Sequence, residues 1–389
     1  MSQPATATGK LLTPFNLITA AILAVGGVIT VLRFFVSGLA GTTNLTDTYP
    51  WGLWIGFDVM SGVALAAGGF VISSAVYLFG MKEYKPLVRP AILTGFLGYS
   101  LVVVGLLYDL GRWYRLPYPF VVKPGPTSML FEVGLCVALY LTTLAIEFSP
   151  AALEWLGWKR LRQLVGSLTI ALTILGLILS TMHQSSLGAL FLITPTKLHP
   201  LWYSSHLPVH FFISAVAGGL GMIIIESALS HRVFHDQVEI SGERFSQLTV
   251  GLAKAAAVTL AVYLAVKVIG IAMDDKWHWL ASGYGGWYLV EMLGFVALPC
   301  FLFVIGYRER RLGAIRVAAV LTVLGIVLNR LNVAIFAFNW QLPAAERYFP
   351  SWMELWVTVS IVTAGVWIFR FIVKRMPILH EHPEWRGQH

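Results

Sequence analysis

LRQLVGSLTIALTILGLILSTMHQSSLG, Leu161 to Gly188, decides how this chain is read. About twenty mostly apolar residues, Leu161 to Leu179, give way to a polar cluster of Ser180, Thr181, His183, Gln184, Ser185 and Ser186. A run of that length is what a helix needs to cross the hydrocarbon core of a bilayer. The groups that follow need protein or water partners, because lipid offers none. The run therefore predicts a membrane span, and the cluster predicts a site.

Composition agrees. Of 389 residues, 57% are hydrophobic and 12% charged, with a mean hydropathy of +0.74, whereas soluble domains carry roughly 25% charged residues. The net charge of +8 would suit nucleic acid, but the Lys and Arg residues lie in short loops between apolar runs. That is membrane topology rather than a binding stripe, so no nucleic acid partner is expected. Cys136 and Cys300 each stand alone in an apolar run, and no C-x-x-C or C-x-x-C-H occurs. The chain is therefore expected to carry no metal site, no iron–sulfur cluster and no c-type haem. MSQPATATGKLLTPFN at the N-terminus reads as a retained tail rather than a cleaved signal.

Ten segments reach spanning length: roughly 14 to 39, 51 to 80, 91 to 111, 128 to 148, 161 to 182, 207 to 230, 246 to 271, 285 to 306, 314 to 337 and 352 to 373. They predict an all-α integral membrane protein, a single domain over 1–389 with ten transmembrane helices. Loops on the side of the N-terminus hold 17 Lys and Arg residues and those on the other side hold 6. The positive-inside rule then places both termini in the cytoplasm. Helices two to five (about 51–184) and six to nine (about 207–337) form two candidate four-helix repeat units, with one flanking helix at each end. SGVALAAGGF from Ser61 and FFISAVAGGL from Phe211 share Ala-Gly-Gly, and Glu132 and Glu291 each open the third helix of their unit. The glycines read as small-residue helix contacts. Trp51, Trp54, Trp113, Trp202 and Trp287 read mostly as an outer aromatic belt.

An ionised group at the bilayer centre costs at least about 2.5–3.5 kcal/mol, so intramembrane acids pair, protonate or face water. Asp58, Asp109, Glu132, Lys267, Glu291, Arg330 and Glu354 all fall in outer portions of their spans, with Lys254 the main exception. Asp109 and Arg112, spaced i, i+3, read either as an intrahelical ion pair or as part of a site. Asp58 and Glu132 have no cation in their own helices. His183, placed at the end of the fifth helix, has Gln184 beside it and a side chain suited to proton transfer near neutral pH. A quinone needs that combination of donors for its carbonyls, a proton carrier and an apolar slot. Haem is the rival, with His183 and His206 or His210 as axial ligands. Helix-end positions beside a proline-containing loop argue against it, and no haem is expected.

PWGLWIGFD (50 to 58), YDLGRWYRLPY (108 to 118), SMLFE (128 to 132), TMHQSSLG (181 to 188) and HPLW (199 to 202) resemble the NrfD or polysulfide-reductase family of membrane subunits. The likeness spans nearly the whole chain and is greatest to the ten-helix, HybB-like branch, which includes membrane subunits of uptake hydrogenase and of sulfate-reducer respiratory complexes. The resemblance implies a subunit of the bacterial inner membrane that exchanges electrons between menaquinone or ubiquinone and an iron–sulfur, ferredoxin-like partner. It implies a larger complex with hydrogenase, molybdopterin-type or multihaem cytochrome c subunits. It also implies a quinone pocket in the first four-helix unit near the outer face; Asp58, Asp109, Arg112, Glu132 and His183 match the family's polar positions, and Gln184 stands beside His183 as a further quinone-binding candidate. In that reading His183, Asp58 and Glu132 handle protons. Two further classes stay open: a structural anchor without its own quinone chemistry, and a secondary transporter, which ten helices and a repeat would also permit.

Overall fold

Serine and threonine start half of the long helices. Thr13, Ser128, Ser241, Ser282 and Ser351 each accept a hydrogen bond from a backbone N–H three residues on, relieving one of the orphan donors of a helix start. In this computed structural model, which describes residues 13–238 and 240–380, ten helices are long and apolar enough to cross a membrane. They are α1 (Pro14–Val36), α2 (Trp54–Tyr77), α3 (Lys82–Asp109), α4 (Met129–Leu156), α5 (Thr169–Ile193), α6 (Leu207–Val233), α7 (Gly242–Met273), α8 (Gly283–Glu309), α9 (Leu312–Phe336) and α10 (Trp352–Arg375). Extended pairing among the described residues is confined to one isolated bridge, Leu198 with Phe338. The N-terminal tail through residue 12 and Arg386, both used in the charge tally, lie outside the described residues.

Helices α2 to α5 close a ring, α2 on α3, α3 on α4, α4 on α5 and α5 back on α2. Helices α6 to α9 close a second ring in the same order. The two rings meet through α5 on α6, α2 on α6 and α2 on α9, while α1 pairs with α10 and α10 packs on α3. The two Ala-Gly-Gly stretches lie against each other at this junction. A Cβ on Gly219 would stand 2.6 Å from the backbone nitrogen of Gly68 and 2.8 Å from the carbonyl carbon of Ala67. Only a bare backbone allows α2 and α6 that approach.

The fifth helix departs from the expected 161 to 182. Lys159–Ser167 is a separate short helix, and α5 begins at Thr169. Its polar residues explain the break. Arg162 turns into the protein and donates to Glu154 Oε1 at 2.8 Å, while Leu161, Leu164 and Leu168 stay exposed. An apolar face beside a basic one is the pattern of a helix lying along a membrane surface. The later start carries His183 from the expected helix end into the body of α5, which continues through Ala189 and a 3₁₀ turn to Ile193.

Two of the expected belt tryptophans are interior. Trp54 and Trp202 are each 1% exposed, and their indole N–H groups donate to the Glu354 carbonyl at 3.3 Å and to Glu291 Oε2 at 2.8 Å. Trp113 and Trp287 remain exposed. Four stretches are π-helical: Leu32–Val36, Trp54–Ser61, Val290–Ala297 and Asn332–Phe336. Each carries a buried polar residue, respectively Arg33, Asp58, Glu291 and Asn332.

Candidate functional site

Ser180, His183, Gln184 and Leu187 recur at helical spacing, so they share one face of α5, and that face looks into the first ring. Ser180, His183, Gln184, Tyr99 of α3 and Tyr140 of α4 are all fully buried. The imidazole is held at both nitrogens. Nδ1 lies 2.7 Å from the Leu179 carbonyl oxygen and Nε2 lies 2.5 Å from the Tyr99 hydroxyl. A carbonyl only accepts, so Nδ1 carries the proton; in the neutral ring Nε2 then accepts from Tyr99. The Tyr99 and Tyr140 rings wall the imidazole at 5.3 and 5.6 Å between centroids. Gln184 Nε2 donates to the Val63 carbonyl of α2 at 2.9 Å. The Gln184 side chain and Ser180 Oγ also lie within hydrogen-bond reach of the Tyr99 hydroxyl, and Ser180 Oγ within reach of that of Tyr140, so the buried polar side chains of this ring form one connected network.

One turn beyond His183 on α5, Ser186 donates to Glu132 Oε1 at 2.6 Å. Glu132 is half-buried in the first turn of α4. It stands between the buried cluster and the end of the ring remote from the basic loops. His183, Gln184, Ser186 and Glu132 thus form a polar file along α4 and α5.

Asp58 and Asp109 belong to a different flank. Asp58 Oδ2 accepts from Thr358 Oγ1 of α10 at 2.7 Å, and Gly105 of α3 packs on the Asp58 side chain. Asp109 Oδ1 is buried without a hydrogen-bond partner, and the charges bearing on it are those of Arg33 and Glu354. Arg33 itself donates to the carbonyls of Tyr108 at 2.9 Å and Leu110 at 2.8 Å. Arg112 is exposed, and no ion pair joins it to Asp109 among the described residues. The helix ends at Asp109, so the i, i+3 geometry that would bring the two together does not form. The six sequence-predicted residues therefore fall into two groups, with Arg112 outside both.

Tyr99 and Tyr140 carried no sequence signal, because tyrosine in an apolar span is ordinary. A second polar cluster, in the ring of α6 to α9, was visible only as scattered charges. There Glu291 accepts from Trp202 Nε1, from Asn329 Nδ2 at 2.7 Å and from Asn332 Nδ2 at 2.5 Å. Arg330 donates to Asn329 Oδ1 and Ser214 Oγ at 2.8 Å each and to the Phe211 carbonyl at 3.1 Å. Lys267 is buried beside them. Glu354 has a structural task, completing the Ser351 capping box and accepting from the Asn44 N–H and the Tyr348 hydroxyl. Burial raises that tyrosine's pKa. A cavity of about 870 Å³ lies away from all of these, among the basic loops.

Residues 41–339 match the family model described as polysulphide reductase, NrfD. The chain belongs to the NrfD family. It is 58% identical to a protein of Nitratidesulfovibrio vulgaris over 100% of both chains. It is 31% identical to the probable Ni/Fe-hydrogenase 2 b-type cytochrome subunit of Escherichia coli, covering 95% of this chain and 94% of that one. It is 27% identical to the menaquinone reductase integral membrane subunit of Nitratidesulfovibrio vulgaris, covering 92% and 90%. The family match takes in both rings and every predicted site residue.

Proposed function

We propose that this NrfD-family chain is the quinone-reactive membrane subunit of a respiratory oxidoreductase complex, with His183 at the site. The observation that carries the reading is the polar file on α4 and α5, which runs from a fully buried, doubly hydrogen-bonded imidazole to the half-buried Glu132. Reducing a quinone to a quinol takes two electrons and two protons. An iron–sulfur, ferredoxin-like partner supplies or receives the electrons, and hydrogenase, molybdopterin-type or multihaem cytochrome c subunits complete the assembly. His183 and Tyr99 contact the headgroup and hold its proton, and Glu132 links them to outer water. Asp58 acts on the other side of α2, through α10. Relatives named for menaquinone reductase and for hydrogenase support the class of partner and substrate. The subunit lies in the bacterial inner membrane with both termini cytoplasmic, as the loop charges support.

We also propose that the chain holds no haem, although the Escherichia coli relative is named a b-type cytochrome subunit. Both nitrogens of His183 are engaged, and two tyrosine rings close on it. His210 lies within hydrogen-bond reach of the Val266 backbone and near Lys267 and Arg330, a cationic setting poorly suited to a ligand pair.

The anchor reading keeps one observation in its favour: the fully buried residues around His183 must move apart before a headgroup can reach it. His183→Ala, Tyr99→Phe, Asp58→Asn and Glu132→Gln, each measured in the assembled complex, separate the two. A proton-handling site predicts that His183→Ala lowers quinone-linked turnover by about 10²-fold or more, with assembly and dye-linked activity of the partner intact. Near-normal turnover in all four variants would leave the anchor. Pyridine haemochrome on the same preparations tests for haem, and a stoichiometric signal would overturn its proposed absence.

A further inference from the structure

The outer end of the second ring buries more positive charge than negative. Lys267 of α7 and Arg330 of α9 are 4% and 1% exposed, and Glu291 of α8 is buried beside them. The charges bearing on Lys267 among the described residues are those of Glu291, Arg330 and Lys276, and Lys276 is matched by Asp274 at 2.5 Å. One buried carboxylate therefore faces two buried cations. Its oxygens already accept from Trp202, Asn329 and Asn332, and Asn329 relays it to Arg330. Lys267 is left as the surplus charge. Among the described residues no hydrogen bond or ion pair reaches its ammonium, which stands 5.7 Å from the Tyr263 ring centroid.

Lys267 lines a cavity of about 10 Å³ enclosed by α6, α7, α8 and the loop between α5 and α6, with Ser204, His210, Lys276 and Tyr288 also in its walls. That volume suits one water or one single-atom ion and is too small for phosphate or sulfate. Tyr288 is fully buried, and its hydroxyl, like that of Tyr263 and the Nε of Arg330, has no hydrogen-bond partner among the described residues. His210 lies within reach of the Val266 backbone, and Ser204 Oγ accepts from the His206 N–H at 3.2 Å. The cluster is short of acceptors, since an ammonium only donates and the one carboxylate is already engaged. A water would accept but add two donors of its own. A halide ion accepts from every side, donates nothing and cancels a charge that is costly to leave uncompensated inside the protein.

We propose that this cavity binds one small monovalent anion of the chloride class, held by the Lys267 ammonium and the Tyr288 hydroxyl. Arg330 adds positive charge from behind the wall. The anion neutralises the outer end of the second ring and ties α7 to α8 and to the loop 201–204. It stands apart from the polar file around His183, which belongs to the first ring, and does not depend on the quinone reading.

The test measures the Tm of the full chain, in its assembled complex, in chloride, bromide and gluconate at constant ionic strength. Both halides should raise the wild-type Tm above its value in gluconate, and the rise should grow with the logarithm of halide concentration, as for a ligand that binds only the folded form. Lys267→Met removes the charge and should lose the halide difference. Lys254→Met, at an exposed lysine of the same helix, should keep it. Crystals of the wild-type complex grown in bromide should show an anomalous peak beside Lys267, a readout that does not require the variant to fold. Equal wild-type Tm in halide and gluconate, or no anomalous peak in the cavity, would overturn the proposal and assign the cavity to water. A halide response that survives unchanged in Lys267→Met would overturn it as well.

Discussion

At the scale of single residues, two histidines show how burial settles a protonation state. His183 is fixed by acceptor chemistry on one side and a tyrosine hydroxyl on the other. His199, in the loop between α5 and α6, is fully buried and stacks on Tyr284 at 4.6 Å, with Trp279 and Trp340 edge-on. Its Nδ1 accepts from the Leu201 N–H at 3.2 Å, so the ring proton sits on Nε2. Burial lowers its pKa from 6.5 to about 4. The folded form thus holds His199 neutral where the unfolded chain would protonate it. This contribution is complete above about pH 6.5 and is lost as the pH falls toward 4. Tm scans should therefore fall between about pH 7 and 5, and His199→Gln, though lower throughout, should fall less steeply. Parallel slopes would remove His199 as a cause.

At the scale of elements, the π-helical stretches and the short helix Lys159–Ser167 are where the chain leaves regular geometry. A π turn admits one extra residue and re-aims its side chains; here the stretches aim Asp58 at Thr358 and Glu291 at Trp202 and two asparagines. The short helix is held by Glu154, whose side chain is fully buried between Arg89 and Arg162. Removing one partner of a buried ion cluster leaves uncompensated charge and costs about 3–5 kcal/mol. Glu154→Ala should lower stability by that order in detergent, with faster amide exchange in Lys159–Ser167 and little change around His183. Uniform exchange along α5 would mean that the ion cluster does not hold the short helix in particular.

At the scale of the whole molecule, the joint between the rings depends on backbone contact. An added Cβ at Gly219 meets backbone atoms of Ala67 and Gly68, which cannot swing away as a flexible side chain would. Gly219→Ala gains about 1 kcal/mol of helix propensity but incurs about 1–3 kcal/mol of overpacking, so the variant should be less stable than wild type. Gly27→Ala is the control, since nothing lies within 4 Å of its added Cβ, and it should be neutral or stabilising. Orientation is tested separately. Cysteine labelling in intact cells should leave the loop between α8 and α9 protected and label the loop between α3 and α4, and the reverse pattern would invert the topology.

Ten spans were legible in the sequence because the bilayer imposes a length on every apolar run. Family motifs, with His183 and Glu132 among their residues, were legible for the same reason: polar groups stand out where lipid makes them expensive. The start of the fifth helix was not, because Arg162 is polar in the sequence yet is drawn inward by Glu154, eight residues away. Nor was the division of the acids. Asp58 and His183 look alike as intramembrane polar residues, but a π turn directs one toward α10 while a regular helical face directs the other toward Tyr99. Helical phase and packing partners depend on contacts between helices far apart in the chain, and those contacts exist only once the rings have closed.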